Sequence, residues 1–350
     1  MIDKLAIILI NYRDYAKEYL VDCIKSLKEQ DFSGSFKIFI VDNQSTEETQ
    51  KKIKEIAPEA ELIINKENAG FAKGNNDGIK EAIEEGFDYF FLLNMDTILE
   101  IDCLSKLIKV ASNTENWGAI QSRLMLWPEK DKVNSLGNNL HYLGFGFSAG
   151  GYQKLPFQLE VQPITYFSGA AVLLRKNVLE EICFFDEKLW MYHDDLDLGW
   201  KMRLAGYQIY LAPESVVYHK YQFTKSIEQY YWMERNRFIC LLTNYKLGTL
   251  LLILPMLILM EGGLLLFSLV NGFWRQKFKV YGWLLNPKNW SYLKSRRQKI
   301  KKIKKIKDKE VVKYFSGKIK FQEIDNWLLK WVGNPILNLY WQVVRRLIFW

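Results

Sequence analysis

The sequence contains few residues that could build a covalent or zinc-bound framework. Among its 350 residues are only three histidines and four widely spaced cysteines, which are Cys23, Cys103, Cys183 and Cys240. No two cysteines form a C-x-x-C pair. The sequence therefore argues against a zinc ribbon, a thioredoxin-type site and a disulfide scaffold, and it favours a reducing compartment.

The N-terminus also lacks the basic n-region and the long apolar h-region of a signal peptide. Its first residues, MIDKLAIILINYRDY, carry the acidic Asp3 and an apolar run of strand length. We therefore expect no secretion signal. The composition, 49% hydrophobic and 25% charged residues, is typical of a globular protein and excludes a wholly disordered or collagenous chain.

Positive charge is concentrated in one part of the chain. The formal net charge is +8, but residues 275–320 alone carry +15, so the remainder sums to −7. An acidic body joined to a strongly basic segment indicates that the two parts have different functions. We expect the basic segment to bind an anionic surface.

The first 110 residues alternate between strand and helix patterns. Strand-like runs such as KLAIILINY, FKIFIVDN and YFFLLNMD are separated by segments with helical spacing, one of them opened by the capping residues Ser45 and Thr46. This alternation predicts an α/β fold with a parallel, doubly wound sheet. Ligands of such sheets bind at the carboxyl ends of the strands. The polar residues at these ends are Asn11, Tyr12, Asp42, Asn43, Asn65, Asn94 and Asp96.

Three groups of residues could carry chemistry. Asn94 and Asp96 form an N-x-D variant of the D-x-D pattern, which can hold Mg²⁺ or Mn²⁺ against a diphosphate or can simply form an Asx turn. Asp194, Asp195 and Asp197 are crowded into four positions, so one could be a general base, or they could cap a helix. His219 follows a strand-like Val-Val pair and is either a metal ligand or a structural histidine.

A glycine-rich stretch, GFGFSAGG, matches G-x-G-x-x-A through Gly144, Gly146 and Ala149. It neither clearly ends a strand nor clearly opens a helix, so a flexible loop is favoured over dinucleotide binding.

Taken together, these segments resemble glycosyltransferase family 2, the inverting GT-A enzymes, and within it the rhamnosyltransferase-like and galactofuranosyltransferase-like branch. The matching strings run in the family's order over about residues 4–240. They are ILINYR, VDNQST, NKENAGFAKGNNDGI, LLNMDT, FSGAAVLLRK, FFDEKLWMYHDDLDLGWKMRLAGYQIYLAPESVVYHK and YYWMERNR. The resemblance implies a GT-A catalytic domain over residues 1–240 and a helical, basic, membrane-associated region over residues 241–350.

The resemblance also implies a role for each matching residue. Asp195 corresponds to the catalytic base and Asp194 to its acceptor-orienting neighbour, while Asp96 and His219 correspond to ligands of a divalent cation, Mn²⁺ or Mg²⁺. The residues that would line the nucleotide-sugar site are Asn11, Tyr12, Arg13, Asp42, Asn43, Gly70, Phe71, Asn75, Asn76, Asn94, Gly169 and Ala170. No Q-x-x-R-W motif is present, which argues against a processive polysaccharide synthase.

The C-terminal region raises the question of a membrane. Residues 247–270 contain one charge, Glu261, and as a helix would be long enough to span a bilayer. Because Pro255, Glu261, Gly262 and Gly263 interrupt this run, a kinked, re-entrant or interfacial arrangement with both ends cytosolic is favoured over a buried core helix or a single span.

The basic run RRQKIKKIKKIKDK spaces three isoleucines, Ile300, Ile303 and Ile306, three residues apart. This pattern suits a helix on an anionic membrane surface or a solvated tail, and we expect no nucleic-acid partner because no recognisable module is present.

The expected protein is thus a metal-dependent inverting glycosyltransferase at the cytoplasmic face of the cell membrane. It would pass a sugar from dTDP-rhamnose or a UDP-sugar to a lipid-linked or growing glycan acceptor. The alternative is a non-catalytic nucleotide-sugar-binding or scaffold subunit, against which the joint presence of Asp96, Asp195 and His219 argues.

Overall fold

The structure, a computed structural model, describes residues 2–155, 159–221, 227–320 and 327–350. Its strands are β1 (Lys4–Tyr12), β2 (Ser35–Asn43), β3 (Glu61–Asn65), β4 (Tyr89–Leu93), β5 (Thr97–Leu99), β6 (Trp117–Leu126), β7 (Val133–Ser135), β8 (Asn138–Leu140), β9 (Gly146–Ser148), β10 (Gln162–Pro163), β11 (Ala171–Arg175) and β12 (Gln208–His219). Its α-helices are α1 (Tyr15–Lys28), α2 (Glu47–Ile56), α3 (Gly70–Glu84), α4 (Cys103–Asn113), α5 (Lys176–Ile182), α6 (Asp194–Leu204), α7 (Ile227–Asn244), α8 (Leu247–Val270), α9 (Trp274–Leu285), α10 (Pro287–Ile303), α11 (Asp308–Val311) and α12 (Asn334–Leu347).

The chain forms two compact units. The first comprises residues 1–138, 148–190 and 207–222, and the second comprises residues 139–147, 191–206 and 223–350. The division of the chain into functional domains at residues 1–240 and 241–350 stays a prediction.

The first unit is built on one large sheet with the strand order β10-β12-β6-β11-β4-β1-β2-β3. Strands β3, β2, β1 and β4 are mutually parallel, and β12 is parallel to β6. Strand β11 lies antiparallel between β4 and β6. Because helices connect the parallel strands and cover the sheet, the predicted α/β fold of GT-A type is confirmed.

Apolar runs explain why the sheet is buried on both faces. Leu5, Ile7 and Leu9 of β1 belong to one large cluster with side chains from α1 and α4. On α3, Gly78 has no room for a side chain, since a Cβ there would lie 2.6 Å from Cγ2 of Ile8. Helix α3 can therefore pack closely against the sheet. This close packing fixes the position of α3, the helix that follows the polar end of β3.

The second unit is helical and contains a buried quartet of charges. The Arg237 guanidinium donates to the Glu234 carboxylate at 2.9 Å and also pairs with Glu261. The Lys277 ammonium lies 2.7 Å from the Glu261 carboxylate and also pairs with Glu234. Two cations thus balance two anions. Glu261, the one charge of the apolar segment, is neutralised within the unit rather than presented to solvent or lipid.

The apolar segment is a single helix, α8, of 24 residues that includes Pro255. Its mean hydropathy over the most apolar window is 2.4, and 11% of that window is buried, which disfavours a buried core helix. In the described part of the chain it is the one helix long and apolar enough to span a membrane by length and composition. A re-entrant hairpin within residues 247–270 is not what the structure shows.

The isoleucine stripe of the basic run does not face outward. Ile300 and Ile303 of α10 are buried within the second unit, while the neighbouring Lys299, Lys301 and Lys302 are exposed. The expectation of a lipid-facing isoleucine stripe is therefore wrong for these two residues, because the stripe packs inward as an ordinary amphipathic helix does. The outward face of α10 is cationic.

Candidate active site

The polar ends of β1 and β2 meet because the two strands are parallel and in register, with Asn11 opposite Asp42. The Asn11 side chain donates from Nδ2 to Oδ1 of Asp42 at 2.6 Å, and both residues are fully buried. Oδ2 of Asp42 accepts from the hydroxyl of Ser45 at 2.7 Å and from the amide of Gln50 at 3.0 Å. This network makes a rigid polar floor at the carboxyl edge of the sheet.

Asn43 connects the same edge to the start of α3. Its Nδ2 donates to the carbonyl of Gly70 at 3.2 Å, and its Oδ1 accepts from Asn65 at 3.0 Å. Gly70 has φ +78°, and a Cβ there would lie 2.3 Å from the carbonyl oxygen of Trp190. Only glycine fits at this helix entry, which explains its place in the motif.

Tyr12 and Arg13 lie at the exposed end of β1. The Arg13 guanidinium lies 5.0 Å from the centroid of the Tyr12 ring, and Arg13 has φ +52°. Positive φ is uncommon for a residue with a side chain and concentrates at functional positions. Both directly follow Asn11, whose Nδ2 donates to the Arg13 carbonyl at 3.0 Å, and their role in bordering a ligand stays a prediction.

Other predicted sugar-site residues also lie near one another. A Cβ on Gly169 would lie 2.8 Å from the Phe71 ring, so glycine leaves room for the aromatic side chain. The backbone amide of Asn94 donates to the carbonyl of Ala170 at 2.9 Å, next to the β4–β11 pairing. Phe71, Asn94, Gly169 and Ala170 thus meet at the end of β4.

The amides of Asn75 and Asn76 have internal partners. Asn75 donates to the carbonyl of Phe71 at 2.9 Å. Asn76 donates to the carbonyl of Phe185 at 3.0 Å and accepts from the backbone amide of Phe185 at 3.1 Å. The two bonds of Asn76 hold α3 to the segment after α5. A role of either asparagine toward a nucleotide stays a prediction.

Strand pairing brings Asp96 to His219, although 122 residues separate them in the chain. Strand β12 pairs antiparallel with β5, with His219 opposite Thr97, and the amide of Lys220 donates to the carbonyl of Asp96 at 2.8 Å. Nε2 of His219 consequently lies 3.2 Å from Oδ1 of Asp96. Both side chains are buried.

This pair fits a bound cation. Nδ1 of His219 lies 3.0 Å from Oδ1 of Asn134, and this contact orients the ring with Nε2 toward Asp96. Nε2 of the ring then faces the buried Oδ1 of Asp96. Carboxylate oxygen and imidazole nitrogen are a pair of ligands that suits Mn²⁺.

The protein offers few side chains as ligands for this cation. Among the described residues no group of three or more His, Cys, Asp and Glu side chains could hold a metal ion. A cation held by two protein ligands keeps positions open for the oxygens of a substrate and of water, as Mg²⁺ and Mn²⁺ sites that bind phosphates do.

Burial and the neighbouring groups shift the pKa of Asp96 in opposite directions. Burial raises the pKa of this carboxyl, but the charge of the His219 ring and hydrogen bonds from His219 and Tyr15 outweigh burial and hold the pKa below its usual value. Burial, and next the charge of Asp96, raise the pKa of the Tyr15 phenol. Asp96 is therefore kept ionised, as a metal ligand must be.

The second unit contains Asp194 and Asp195, in the first turn of α6. The preceding residues Tyr192 and His193 have φ of 64° and 61°, a left-handed backbone that non-glycine residues rarely adopt. The Asn236 amide of α7 donates to the carbonyls of Met191 and Tyr192 at 2.9 and 2.8 Å and thereby holds this turn. Strain supported in this way is typical of functional sites.

Asp197 fixes α6 from its buried side. Arg296 of α10 pairs with the Asp197 carboxylate, and Asn244 of α7 donates to the same Oδ1 at 3.1 Å. Asp197 therefore anchors the helix and does not cap it, because α6 already begins at Asp194.

Comparison with known proteins identifies the family. Residues 6–183, slightly more than half of the chain, match Glycosyl transferase family 2. The chain belongs to this family. The predicted rhamnosyltransferase-like and galactofuranosyltransferase-like branch stays a prediction.

Two curated relatives are similar to part of the chain. A low-salt glycan biosynthesis hexosyltransferase, Agl10 of Haloferax volcanii, is 23% identical over 213 residues, which cover 60% of this chain and 64% of that protein. The poly-beta-1,6-N-acetyl-D-glucosamine synthase of Staphylococcus aureus is 25% identical over 178 residues, or 50% of this chain and 40% of that one. This chain thus spans less than two thirds of the length of either.

A solved structure agrees with the fold. The crystal structure of GalNAc-T7 with UDP, GalNAc and Mn²⁺ superposes with a TM-score of 0.54 and 11% identity, covering 69% of this chain and 48% of that one. At this identity the likeness shows the GT-A-like fold alone.

The buried carboxyl of Asp194 should make the stability of the protein depend on pH. Burial, and next the charge of Asp195, raise the pKa of Asp194 to about 8. The folded state therefore keeps a proton that the unfolded chain loses near pH 4, so the free energy of unfolding falls as pH rises from about 4 to 8. In Asp194→Asn the free energy of unfolding should fall less steeply with pH, by up to about 1.4 kcal/mol per pH unit. The free energy of unfolding is measured by denaturant titration at several pH values.

Asp31→Asn is the matched control, because Asp31 is an exposed aspartate of the first unit. The control should keep the pH dependence of the unmodified chain. An Asp194→Asn profile parallel to that of the unmodified chain would show that Asp194 is ionised in the folded state.

Three residues that contact predicted functional segments were not found by sequence reasoning. Tyr15, Asn134 and Asn236 contact Asp96, His219 and the turn before α6, respectively. Asn236 lies within the YYWMERNR string, which drew attention to the segment but not to the residue. Tyr15 and Asn134 lie in no motif, and only the folded chain brings them to the site.

Proposed function

We propose that the chain is a metal-dependent inverting hexosyltransferase that uses a nucleotide-sugar donor. The observation that carries this proposal is the buried Asp96 carboxylate facing Nε2 of His219 at the carboxyl edge of a GT-A-like sheet. Family membership and the hexosyltransferase relative support it. A divalent cation held there would neutralise the charge that develops on the departing nucleoside diphosphate.

The residues of the chain divide the remaining tasks. The floor formed by Asn11, Asp42 and Asn43 would hydrogen-bond the base or ribose of the donor. Asp195 would accept the proton of the acceptor hydroxyl as its oxygen approaches the anomeric carbon, because an alcohol attacks poorly while it keeps its proton. Asp194, protonated near neutral pH, would orient the acceptor. Attack opposite the leaving group inverts the anomeric centre.

The donor we propose is dTDP-rhamnose or a UDP-sugar, and the acceptor is a lipid-linked or growing polysaccharide. GalNAc-T7, a protein of similar fold, was crystallised with UDP and Mn²⁺, and the Staphylococcus aureus relative is a polysaccharide synthase by name. These two proteins support a nucleotide donor, a cation and a glycan acceptor for this chain.

We further propose that the chain acts at the cytoplasmic face of the cell membrane. Helix α8 is strongly apolar and mostly exposed, and its one acidic side chain, Glu261, is paired within the second unit. The exposed lysines of α10 add the positive charge that anionic leaflets attract.

A donor screen tests the enzymatic part of this proposal. The full chain is mixed with dTDP-rhamnose, UDP-sugars and GDP-mannose, each with Mn²⁺, Mg²⁺ or EDTA, and thermal stabilisation and nucleotide release are measured. We expect one donor class to stabilise the chain only with a cation, by several degrees. Binding of no donor under any cation would overturn the proposal, and binding without transfer to any acceptor would favour the non-catalytic subunit.

A further inference from the structure

Helix α12 of the second unit has two apolar faces. One face is buried in the unit through Leu337, Trp341 and Val344. The other face is exposed, and its large apolar side chains recur at the spacing of one side of a helix. They are Ile336, Leu339, Val343 and Leu347. A surface helix of a soluble unit ordinarily has one apolar stripe, so the second stripe of α12 indicates an interaction surface.

Helix α12 packs beside the apolar helix α8. The Tyr340 hydroxyl donates to the carbonyl of Leu252 at 2.6 Å, and Nε1 of Trp350 donates to the Thr249 hydroxyl at 2.9 Å. The first half of α8 also exposes large apolar side chains at helical spacing, which are Leu247, Leu251, Leu254 and Ile258. Two neighbouring helices of the second unit thus each carry an exposed apolar stripe.

Polar contacts hold α8 to the second unit in both of its halves. Near its start, the Thr249 hydroxyl donates to the Asp308 carboxylate at 2.6 Å. In its second half, Glu261 pairs with Arg237 of α7 and with Lys277 of α9. If α8 crossed a bilayer, Glu261 would have to enter the hydrocarbon core with these cations or without them, and both are costly. The contacts therefore favour a helix that lies along a membrane surface.

The length of α12 excludes a crossing by this helix. With 14 residues, α12 is about 21 Å long, whereas the hydrocarbon core of a bilayer is roughly 30 Å thick. An exposed apolar stripe on so short a helix suits the boundary between headgroups and acyl chains.

Exposed cations accompany the apolar stripes. Arg345 and Arg346 adjoin Leu347 on α12, and exposed lysines follow one another on α10, which are Lys299, Lys301 and Lys302. Long cationic side chains can reach anionic headgroups while their apolar neighbours enter the acyl region. A second copy of the chain would instead bring like charges together. The charge therefore favours an anionic leaflet as the occupant of this surface.

We propose that α8 and α12 lie parallel to the surface of an anionic membrane, with their exposed stripes among the acyl chains of one leaflet. Neither helix crosses the bilayer. The inference rests on the membrane location in the proposed function, and it adds the surface that binds lipid and the orientation of the two helices.

Flotation of the full chain with vesicles of phosphatidylcholine and phosphatidylglycerol tests the surface. The double variant Leu339→Gln, Val343→Gln changes two side chains of α12 that are 69% and 57% exposed. It should weaken partitioning at least about tenfold, because polar amides replace two apolar groups that would leave water on binding.

The matched control is Val21→Gln, Ile101→Gln, which changes two apolar side chains of the first unit that are 53% and 61% exposed. The control should partition like the unmodified chain. Thermal melts verify that both double variants are folded. Unchanged partitioning of the α12 variant, or an equal loss in the control, would overturn α12 as part of a specific membrane surface.

The depth of attached fluorophores distinguishes helices in the surface from a span. Replacement of the exposed Cys183 by serine leaves three buried cysteines, and a nitrobenzoxadiazole label is then placed at Leu251→Cys, Ile258→Cys, Leu269→Cys or Val343→Cys. Lipids with a quencher near the headgroup or deep in the acyl chain report the depth of each label. We expect similar, shallow depths at all four positions.

Much deeper quenching at Ile258→Cys than at Leu251→Cys and Leu269→Cys would show a span and overturn the orientation proposed for α8. A label at Val343→Cys that no lipid quencher reaches would overturn the role of α12.

Light scattering without lipid tests a second copy of the chain as the occupant. A concentration-dependent dimer that Leu339→Gln, Val343→Gln abolishes would overturn the lipid assignment. Failure of the unmodified chain to bind any vesicle would overturn the membrane location in the proposed function as well. Normal vesicle binding by the α12 variant would overturn the further inference alone. These assays need neither donor nor metal ion, so their outcome is independent of the proposed transferase activity.

Discussion

Replacement of Asp195 by asparagine should lower the turnover of glycosyl transfer at least about 100-fold while donor binding is retained. The reason is that asparagine keeps the shape of the side chain but cannot take the proton of the acceptor hydroxyl. Asp195 is half-buried in the first turn of α6. Turnover is measured by product formation with a saturating donor, and donor affinity by titration calorimetry.

Glu180→Gln is the matched control, because Glu180 is an exposed carboxylate on α5, away from the proposed roles. It should turn over normally. If Asp195→Asn also kept near-normal turnover, Asp195 would have no place in the mechanism. If it lost donor binding as well, its role would be in binding rather than proton transfer.

Replacement of Asp96 by asparagine should reduce the affinity for Mn²⁺ in the presence of nucleotide at least about 100-fold. Substitution of residues that only support metal ligands already costs about 10- to 100-fold, and Asp96 would be a ligand itself. The variant keeps the shape of the side chain but presents a neutral amide to the cation. Mn²⁺ binding is followed by electron paramagnetic resonance, so the measurement does not depend on activity.

Asn134→Ala provides a graded comparison. Asn134 contacts His219 and not the proposed metal position, so its loss should weaken Mn²⁺ binding by about tenfold. Unchanged Mn²⁺ affinity in Asp96→Asn would show that the cation binds elsewhere or not at all. An Asn134→Ala effect as large as that of Asp96→Asn would show that the pair is held together mainly by this asparagine.

Local patterns predicted the first unit well because its elements are determined by local chemistry. The apolar run KLAIILINY coincides with the observed bounds of β1. Thr46 caps α2 as predicted, accepting from the amide of Thr49 at 3.3 Å. Ser45, however, turns to the Asp42 carboxylate, a choice that only the neighbouring strand end decides.

The orientation of amphipathic segments could not be predicted from spacing alone. A stripe of isoleucines between lysines has the same pattern whether the stripe meets lipid or protein. The structure buries Ile300 and Ile303 and leaves the lysines outside. Likewise, Glu261 reads as an isolated charge in an apolar run, but Arg237 and Lys277 pair with it in the fold.

The sequence by itself determined the alternating strands and helices and the polar residues at the strand ends, because backbone propensity and apolar periodicity act over a few neighbouring residues. Tertiary structure decided which polar residues meet. Pairing of β12 with β5 brings His219 to Asp96, and Asn134 then orients the ring. Contacts between residues so far apart in the chain arise from strand register and packing, which no short segment of sequence contains.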